Sequence, residues 1–532
     1  MKKLFIVFMA LLIIGLVSCG ESTTNVTTVE SSVDETTQTT TEYIYDDRSL
    51  VSEDCEHLEN IGDYQPVWCD EFNYEGLPDT TKWAYNTGGD GFGNNELQYY
   101  TNADPDNAYV SDGTLKITAL LESYNTNDYT SARLVSKYYG EWTYGKIQVR
   151  AKLPSGVGTW PAIWMMPTSS VYGGWPYSGE IDIMEHVGKD PDNVHTTIHT
   201  GAYNHSLGTQ IGYSLSGTDW ESEFHVYEIE WSPGHIETFV DGVSMGVFGF
   251  NPLANPTVKV TDAWPFDIDF YLILNVAIGG FWGGPTVDDT IFPQSLEVDY
   301  VRVYQKDYAG LDREVPSEIS NLSMQYNTYD SIKIIWNESE DDIMVKEYEI
   351  LVDDVLKGTS SVNAFDIEDL EPNTSYKISV MAVDFAGNRS DLVTTNLTTA
   401  SLSNVTDRIE AEDYDSKSGV YIGACTDGEA GECLTWISDG DYMEYSLYVP
   451  ETGTYRITYR ISSESDSGTI ELFGLGPFPL ETTVLPVTGS YDIFVDVTSE
   501  GDFSLREGVI TFRIEAAEGG FYLNYFEFEK VD

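Results

Sequence analysis

Apolar residues along most of the chain recur in short runs rather than at helical spacing. Between residues 60 and 306 these runs are rich in Val, Ile, Tyr and Trp, and Gly, Asn, Asp or Pro turns separate them. The clearest runs lie at 114–120, 145–152, 225–231, 236–240, 271–276 and 298–304. This pattern is typical of antiparallel strands. It predicts a large all-β sandwich in this part of the chain.

One of the predicted strands carries three acids. Residues 179–186 read Gly-Glu-Ile-Asp-Ile-Met-Glu-His. Because strand side chains alternate between faces, Glu180 and Asp182 share a face, but Met184 and not Glu185 would come next on it. A β-bulge with Met184 as the extra residue would return Glu185 to that face. Three like charges in a row are unfavourable, which indicates a functional role.

Three aligned carboxylates suit either metal binding or glycoside chemistry. A hard cation takes oxygen ligands from several directions, whereas one strand offers them from one side. A retaining glycosidase uses two carboxyl groups about 5–5.5 Å apart as nucleophile and acid/base. A third carboxyl between them would keep the other two at different pKa values. Aromatic residues nearby, including Trp160 and Trp164, favour the second chemistry and a sugar substrate.

Charge narrows the class of partner. The chain has 88 acidic residues against 27 Lys and Arg, giving a net charge of −61. Nucleic acids and anionic lipid surfaces are therefore not expected partners. The charge instead favours a neutral polysaccharide, and an aromatic content of 13% is consistent with flat sugar-binding surfaces.

The N-terminus has the pattern of a targeting segment. In residues 1–19, two lysines precede an apolar run that is too short to span a membrane. The run ends in Leu-Val-Ser-Cys-Gly, which resembles the lipobox of bacterial lipoproteins and implies lipidation of Cys19. The alternative is an ordinary signal peptide with an incidental cysteine. Residues 20–55 are rich in Ser and Thr and predict a disordered tether, so the protein is expected on the extracellular side of a bacterial envelope, held by lipid alone.

The sequence around the acids resembles that of family 16 glycoside hydrolases over residues 66–305, which predicts a domain of this family at 56–306. Glu-Ile-Asp-Ile-Met-Glu is similar to the family signature in the bulged form of laminarinases and of their agarase and carrageenase relatives. Further blocks that match the family lie at 68–72, 94–101, 158–165, 270–280 and 298–304. The resemblance implies a β-jelly roll whose active strand lies along a concave cleft.

The same resemblance implies roles for individual residues. Glu180 would be the nucleophile, Glu185 the acid/base, and Asp182 the residue that tunes the proton between them. The substrate-binding candidates are Trp160, Trp164, His199, Asn95, Arg133 and Trp282. Catalysis would need no cofactor. A structural Ca²⁺ on the convex side would be held by Glu71, the backbone of Gly113, and Asp299.

Two smaller units follow the catalytic region. Residues 312–400 resemble a fibronectin type III domain, an immunoglobulin-like sandwich, with Trp336 as its core tryptophan and Tyr376 at its tyrosine corner. We expect this unit to act as a spacer. Residues 403–532 resemble a family 6 carbohydrate-binding module, also a β-sandwich, on the segments 409–414, 440–445, 453–456 and 519–528.

The module resemblance implies two sets of residues. The sugar ligands would be Trp436, Tyr491 or Phe494, and Asn524. A structural calcium ion would be held by Glu410, Glu412 and Glu527.

Apart from Cys19, the chain has four cysteines, and none has zinc-finger spacing. Outside the cytoplasm two local disulfides are expected, Cys55–Cys69 and Cys425–Cys433.

These observations predict a monomeric, lipid-anchored endo-β-1,3-glucanase that acts on laminarin-like glucans with retention of configuration. Blocks 94–101 and 274–280 favour a laminarinase over its relatives. One alternative is an enzyme of the same fold that acts on a marine galactan, agarose or carrageenan; the negative charge argues against sulfated carrageenan only. The other is a non-catalytic polysaccharide-capture lipoprotein, which predicts loss of the acids, whereas all three are intact.

Overall fold

The structure is a computed structural model. It describes residues 55–428, 431–465, 467–474 and 476–532. The predicted signal segment, Cys19 and nearly all of the predicted tether lie outside the described residues. Within them, none of the helices has both the length and the apolar character needed to cross a bilayer.

The first part of the described chain is built from strands β1 to β18. Their bounds are β1 Tyr64–Asp70, β2 Ala84–Tyr85, β3 Gln98–Tyr100, β4 Ala108–Ser111, β5 Thr114–Tyr124, β6 Asn127–Ser131, β7 Arg133–Val135, β8 Glu141–Trp142, β9 Gly145–Lys152, β10 Thr159–Pro167, β11 Glu180–His186, β12 Asn193–His199, β13 Ile211–Ser216, β14 His225–Ser232, β15 His235–Val240, β16 Val243–Gly249, β17 Phe270–Ile278 and β18 Gln294–Lys306. Short helices α1 Val260–Ala263, α2 Gly280–Gly283 and α3 Tyr308–Leu311, and a 3₁₀ turn at Asp289–Ile291, complete this part.

Two sheets of this region pack face to face. One has the strand order β16-β15-β14-β9-β18-β5-β6-β3, with β1 beside β18 and β4 beside β5. The other has the order β13-β12-β11-β10-β17-β7-β2, with β8 beside β17. Fully buried apolar residues such as Val149 on β9, Ile181 on β11 and Leu272 on β17 fill the space between them. The predicted all-β sandwich is confirmed, and β11 lies inside the second sheet, where β10 and β12 hold it on both sides.

The second region is a smaller sandwich. Its strands are β19 Ser320–Asn327, β20 Ile332–Asn337, β21 Val345–Val352, β22 Val355–Ser360, β23 Ala364–Ile367, β24 Ser375–Asp384 and β25 Val393–Thr398. They form the sheets β19-β20-β23 and β22-β21-β24-β25. Trp336 is buried and packs edge-on against Tyr348. The hydroxyl of Tyr376 accepts a hydrogen bond from the backbone N–H of Glu371 (2.7 Å), as a tyrosine corner requires.

This second region is docked on the first, so it is more than the expected spacer. Val362 and Ala364 are buried in the core cluster of the large sandwich. The Oδ2 atom of Asp366 accepts a hydrogen bond from the backbone N–H of Val260 (2.6 Å). The sequence pattern of one domain does not predict contacts with a neighbouring domain. Val362, Ala364 and Asp366 have the pattern of ordinary strand or turn residues.

The C-terminal region is a third sandwich. Its strands are β26 Ile409–Glu410, β27 Ser416–Ser418, β28 Tyr421–Cys425, β29 Gly431–Ile437, β30 Tyr442–Val449, β31 Gly453–Ser463, β32 Thr469–Phe473, β33 Glu481–Val484, β34 Ser490–Thr498, β35 Phe503–Leu505, β36 Gly508–Glu518 and β37 Phe521–Lys530. One sheet has the order β28-β29-β37-β31-β34, with β26 beside β37 and β35 beside β31. The other has the order β27-β30-β36-β32-β33.

One predicted disulfide is present and the other is wrong. Cys55 and Cys69 are bonded, whereas Cys425 and Cys433 are free thiols. In the β28–β29 hairpin Cys425 lies opposite Gly431 and Cys433 opposite Gly423, so the two cysteines are diagonal neighbours. Burial and the neighbouring Cys425 thiol raise the pKa of Cys433, so the two side chains are in contact although no S–S bond joins them.

Candidate active site

The bulge predicted in β11 is present, but its extra residue differs from the prediction. Asp182 pairs with Thr197 on β12 and Glu185 pairs with His195, so two residues of β11 oppose one of β12. On the other side, Met184 pairs with Ile163 of β10, and Ile183 is the residue without a partner. Alternation along one strand shows that an extra residue is needed, but the pairing of the neighbouring strands decides which residue it is. Ile183 and Met184 are both buried in the core, and Glu185 returns to the face of Glu180 and Asp182.

Three aromatic side chains orient the acids. Trp175 donates its indole N–H to Oε2 of Glu180 (2.6 Å). Trp160 donates its indole N–H to Oε1 of Glu185 (2.9 Å). His199, on β12 opposite Glu180, places Nε2 3.5 Å from Oδ2 of Asp182 and 4.0 Å from Oε1 of Glu180. Each glutamate is therefore held by an indole donor, whereas Oδ2 of Asp182 is buried beside His199 without a hydrogen-bond partner.

Burial sets the protonation of the acids. It raises the pKa of Glu180 to about 8 and the pKa of Asp182 to about 7, and it raises the pKa of Glu185 well above the usual range. The charge of Asp182 raises the pKa of both glutamates further, and His199 opposes this effect. Near neutral pH the site therefore retains protons, and a protonated Glu185 is the form that a general acid requires.

Replacing Asp182 with asparagine is expected to move the pH profile of kcat/KM to lower pH on both limbs. The neutral amide removes the charge that raises the pKa of Glu180 and Glu185, so each glutamate would lose its proton at lower pH. Initial rates across the full profile measure the shift. A lower rate with both limbs in their original places would contradict this electrostatic role.

The acids line a cleft of about 490 Å³. The residues that line it are Thr87, Asp90, Phe92, Gly93, Asn94, Glu96, Arg133, Trp160, Ala162, Trp164, Met166, Trp175, Glu180, Asp182, Glu185, His205, Asn275 and Ala277. Trp164 donates its indole N–H to Oδ1 of Asn275 (2.7 Å). The guanidinium of Arg133 lies over the Trp164 ring, 4.6 Å from its centroid. The structure therefore brings Arg133, Trp160 and Trp164 together in the cleft, and His199 lies beside Glu180 and Asp182.

Two predicted substrate residues lie elsewhere. Asn95 is exposed in a left-handed turn, and its neighbours Asn94 and Glu96 line the cleft in its place. Trp282 packs edge-on against Trp160, with ring centroids 5.7 Å apart, and so reaches the cleft only through that ring. In the tight turn at Asn95 the backbone conformation decides which side chain faces the cleft, and the sequence alone did not predict this.

Sequence reasoning did not select several cleft residues. Glu96 is buried and accepts hydrogen bonds from Gln98 and Tyr100 at 2.6 and 3.2 Å. Trp175 and His205 form a second aromatic pair, with ring centroids 4.9 Å apart. Glu96 lies within block 94–101, and Asn275 lies within block 270–280, so both blocks already marked the right segments.

Comparison with known proteins agrees with this geometry. The family model "Glycosyl hydrolases family 16" matches residues 95–259. A beta-glucanase of Rhodothermus marinus is 54% identical over 245 residues, which are 46% of this chain and 85% of the relative. The chain belongs to glycosyl hydrolase family 16. A glucan endo-1,3-beta-glucosidase of Cryptopygus antarcticus is 38% identical over 246 residues, covering 44% of this chain and 90% of that protein.

Other comparisons cover the remaining domains and the fold. The X-ray structure of the laminarinase from Rhodothermus marinus is 54% identical, covers 46% of this chain and 98% of its own, and has a TM-score of 0.45. The model "Fibronectin type III domain" matches residues 317–396, and "Carbohydrate binding module (family 6)" matches residues 410–530. This family 16 glycoside hydrolase thus carries both accessory domains that the sequence predicts.

The calcium site predicted on the hydrolase domain does not fit a cation as its residues are placed. Both oxygens of Glu71 accept hydrogen bonds from Arg302 (2.7 Å each). Oδ2 of Asp299 accepts one from Arg150 (2.5 Å). An ion here would have to displace two arginines, so calcium at this place stays a prediction without structural support.

The calcium site predicted on the module has a better donor set. Oε2 of Glu412 is buried and makes no hydrogen bond. Glu410 forms an ion pair with Arg408 (2.9 Å), and Glu527 is exposed on β37. The unpartnered oxygen of Glu412 fits a cation ligand, and the site stays a prediction.

Trp436 and Tyr491 meet on the module, but Asn524 does not join them. Trp436 is 64% exposed, and its ring lies 6.0 Å from Tyr491 and 5.8 Å from Tyr522. Trp436 and Tyr491 border a depression of about 660 Å³. Asn524 is buried and donates to Oδ2 of Asp427 (2.9 Å) instead. Tyr522, which was not predicted, takes the place beside Tyr491.

Proposed function

We propose that this family 16 enzyme is an endo-acting β-1,3-glucanase that hydrolyses laminarin-like glucans with retention of configuration. The observation that carries the proposal is the bulged strand β11, which puts Glu180 and Glu185 on one face of an aromatic cleft. The names of the two relatives above, a beta-glucanase and a glucan endo-1,3-beta-glucosidase, support the substrate. The net charge of −61 favours a neutral polymer.

The proposed reaction has two displacements. In the form with Glu185 protonated and Glu180 ionised, Glu185 donates its proton to the glycosidic oxygen while the Glu180 carboxylate attacks the anomeric carbon, which breaks the glycosidic bond and forms a glycosyl ester on Glu180. The Glu185 carboxylate then removes a proton from water, which attacks the same carbon and releases Glu180 as a carboxylate. Trp175 and Trp160 hold the two carboxyl groups in place for these steps.

A polysaccharide panel tests the substrate. Laminarin, mixed-linkage glucan, agarose and carrageenan are incubated with the full chain, and the reducing ends and product sizes are measured. We expect laminarin to be cleaved fastest, with oligosaccharides of several lengths as early products. Activity on agarose with none on laminarin would replace the proposal with the galactan alternative, and no cleavage of any polymer would favour the capture protein.

The C-terminal module is proposed to hold the enzyme on its substrate. Replacing Trp436 with alanine is expected to weaken binding to insoluble β-1,3-glucan about tenfold or more, because an exposed ring at the centre of a binding surface contributes most of its contact energy. Turnover of soluble oligosaccharides should not change. Phe478→Ala, which removes another exposed aromatic from the same module, is the matched control, and equal losses in both variants would contradict the role of Trp436.

We further propose that the enzyme is a monomer attached to the outer side of the bacterial envelope by lipid on Cys19. The lipobox-like segment supports this proposal. Replacing Cys19 with serine is expected to release the enzyme from the membrane fraction of expressing cells. A variant that stays in the membrane fraction would contradict the lipid anchor.

A further inference from the structure

Four aspartates meet where the hydrolase domain joins the fibronectin type III domain. Asp312 directly follows α3, the last helix of the hydrolase domain. Asp341 and Asp342 lie in the loop between β20 and β21, and Asp384 ends β24. The cluster therefore combines one residue from the domain junction with two loops of the neighbouring domain.

The carboxylates are close enough to share one ion. One oxygen from each of Asp312, Asp341 and Asp342 lies within 4.8 Å of the other two. Two ligands bound to Ca²⁺ at about 2.3–2.6 Å can be separated by up to about this distance. The three oxygens thus have the spacing of a cation's first ligands.

Several oxygens of this cluster are buried and unpartnered. Asp312 is only 6% exposed, and neither of its carboxylate oxygens makes a hydrogen bond. Asp384 is 1% exposed, and its Oδ2 atom has no partner; the same is true of Oδ1 of Asp341. Buried carboxylate oxygens without a partner are strongly unfavourable, so a missing positive group is indicated.

The remaining oxygens shape the loops. Oδ2 of Asp341 accepts hydrogen bonds from the backbone N–H groups of Ile343 and Met344 (3.0 and 2.8 Å). Oδ1 of Asp384 accepts one from the backbone N–H of Asn388 (2.8 Å). Asp341 and Asp384 thus each use one oxygen to fix a loop and keep the other oxygen free, whereas both oxygens of Asp312 are unpartnered.

No side-chain cation neutralises the cluster. Within the described ranges, none of the four aspartates forms an ion pair with Lys, Arg or His. The neighbouring Arg313 donates to the backbone carbonyl of Asp312 (2.5 Å) rather than to a carboxylate. The close negative charges of the cluster are therefore not balanced by a basic side chain in the described part of the chain.

We propose that Asp312, Asp341, Asp342 and Asp384 form a binding site for a hard divalent cation, with Ca²⁺ as its ligand. Four carboxylates exceed the one or two that Mg²⁺ commonly takes from a protein, whereas Ca²⁺ accepts six to eight oxygens in flexible geometry. The site is separate from the calcium sites predicted on the hydrolase domain and on the carbohydrate-binding module.

The bound ion would fix the orientation of the two domains. Tyr308 of α3 stacks on Phe385, the residue after Asp384, with ring centroids 4.3 Å apart. An ion that bridges Asp312 to Asp384 and Asp341 would fasten this contact from its polar side. Calcium is therefore expected to stabilise the junction and not the chemistry of the cleft.

Calcium titration of the full chain tests the site. The chain is stripped with EDTA, exchanged into metal-free buffer and titrated with CaCl₂ by calorimetry. The double variant Asp312→Asn with Asp384→Asn is expected to bind one Ca²⁺ fewer per chain than the wild type. Saturating Ca²⁺ should raise the Tm of the wild type by about 3–8 °C more than that of the variant.

Without calcium, the difference in stability between the double variant and the wild type should be reversed or absent. Without calcium the double variant should be at least as stable as the wild type, because two repelling charges are gone.

Asp369→Asn, an exposed aspartate of the same domain, is the control and should bind as many Ca²⁺ as the wild type. The exposed loop variant Asp342→Asn, which carries little folding risk, should weaken the same binding step about tenfold. Equal Ca²⁺ stoichiometry and equal Tm gain in the wild type and both site variants would overturn the proposal, as would binding of Mg²⁺ with exclusion of Ca²⁺.

Discussion

Replacing Glu180 with glutamine is expected to lower kcat on laminarin by about 10⁴-fold or more, the size of loss seen when a nucleophile is removed. The amide cannot form the glycosyl ester, and no other carboxylate in the cleft occupies the same place. The amide oxygen can still accept the hydrogen bond from Trp175. The rate of reducing-end release measures the effect.

Unfolding of the Glu180→Gln variant is not expected to cause this loss of kcat. The pH dependence of the stability of the wild type and the variant tests this expectation. The pKa of Glu180 is about 8 in the folded protein and has its ordinary value of about 4.5 in the unfolded chain. The folded state therefore binds more protons in that window, and its stability falls as the pH rises through it. Glu180→Gln removes this fall, so the variant should be at least as stable as the wild type at neutral pH. Glu75→Gln, at an exposed glutamate of the same domain, should keep full activity; near-normal activity of Glu180→Gln would refute the nucleophile.

Replacing Glu185 with glutamine is expected to lower kcat on laminarin by about 10²–10⁴-fold. The variant has no proton to give to the leaving oxygen and no base to activate water. The loss of kcat should depend on the substrate. An aryl glycoside has an acidic leaving group, and this group can leave without receiving a proton from Glu185. The comparison of kcat on laminarin with the rate of aryl release measures this dependence.

Added azide separates an acid/base residue from a structural one. Azide needs no base, so it can attack the glycosyl ester on Glu180 in the Glu185→Gln variant and release a β-glycosyl azide. We expect azide to restore turnover of the aryl glycoside in this variant but not in Glu180→Gln. Equal losses of rate on laminarin and on the aryl glycoside, with no azide product, would contradict the assignment of Glu185. That result would favour the metal-binding alternative, because Glu180, Asp182 and His199 also have the spacing of metal ligands.

The hydrolase domain and the fibronectin type III domain share a packed junction. The fibronectin type III domain buries Val362 and Ala364 against the hydrolase core, and Asp312, Asp341 and Asp342 cluster where the two domains join. The two domains are thereby joined by both apolar packing and the proposed ion. Domain orientation should consequently respond to calcium.

The sequence by itself determined the fold class, the three sandwiches and the acids of the active strand. Short apolar runs and turn residues are local properties, so alternation and spacing show them directly. The need for a bulge also followed from alternation, because Glu180 and Glu185 are an odd number of residues apart.

The tertiary structure decided everything that depends on partners distant along the chain. Pairing of β11 with β10 made Ile183 the extra residue, where alternation alone had suggested Met184. Hairpin register made Cys425 and Cys433 diagonal neighbours with free thiols, and loop conformation turned Asn94 and not Asn95 into the cleft. The junction aspartates come from segments up to 72 residues apart, between Asp312 and Asp384, and each is unremarkable alone. Only folding brings their charges together, because strand register and domain docking, and not local preference, fix which side chains meet.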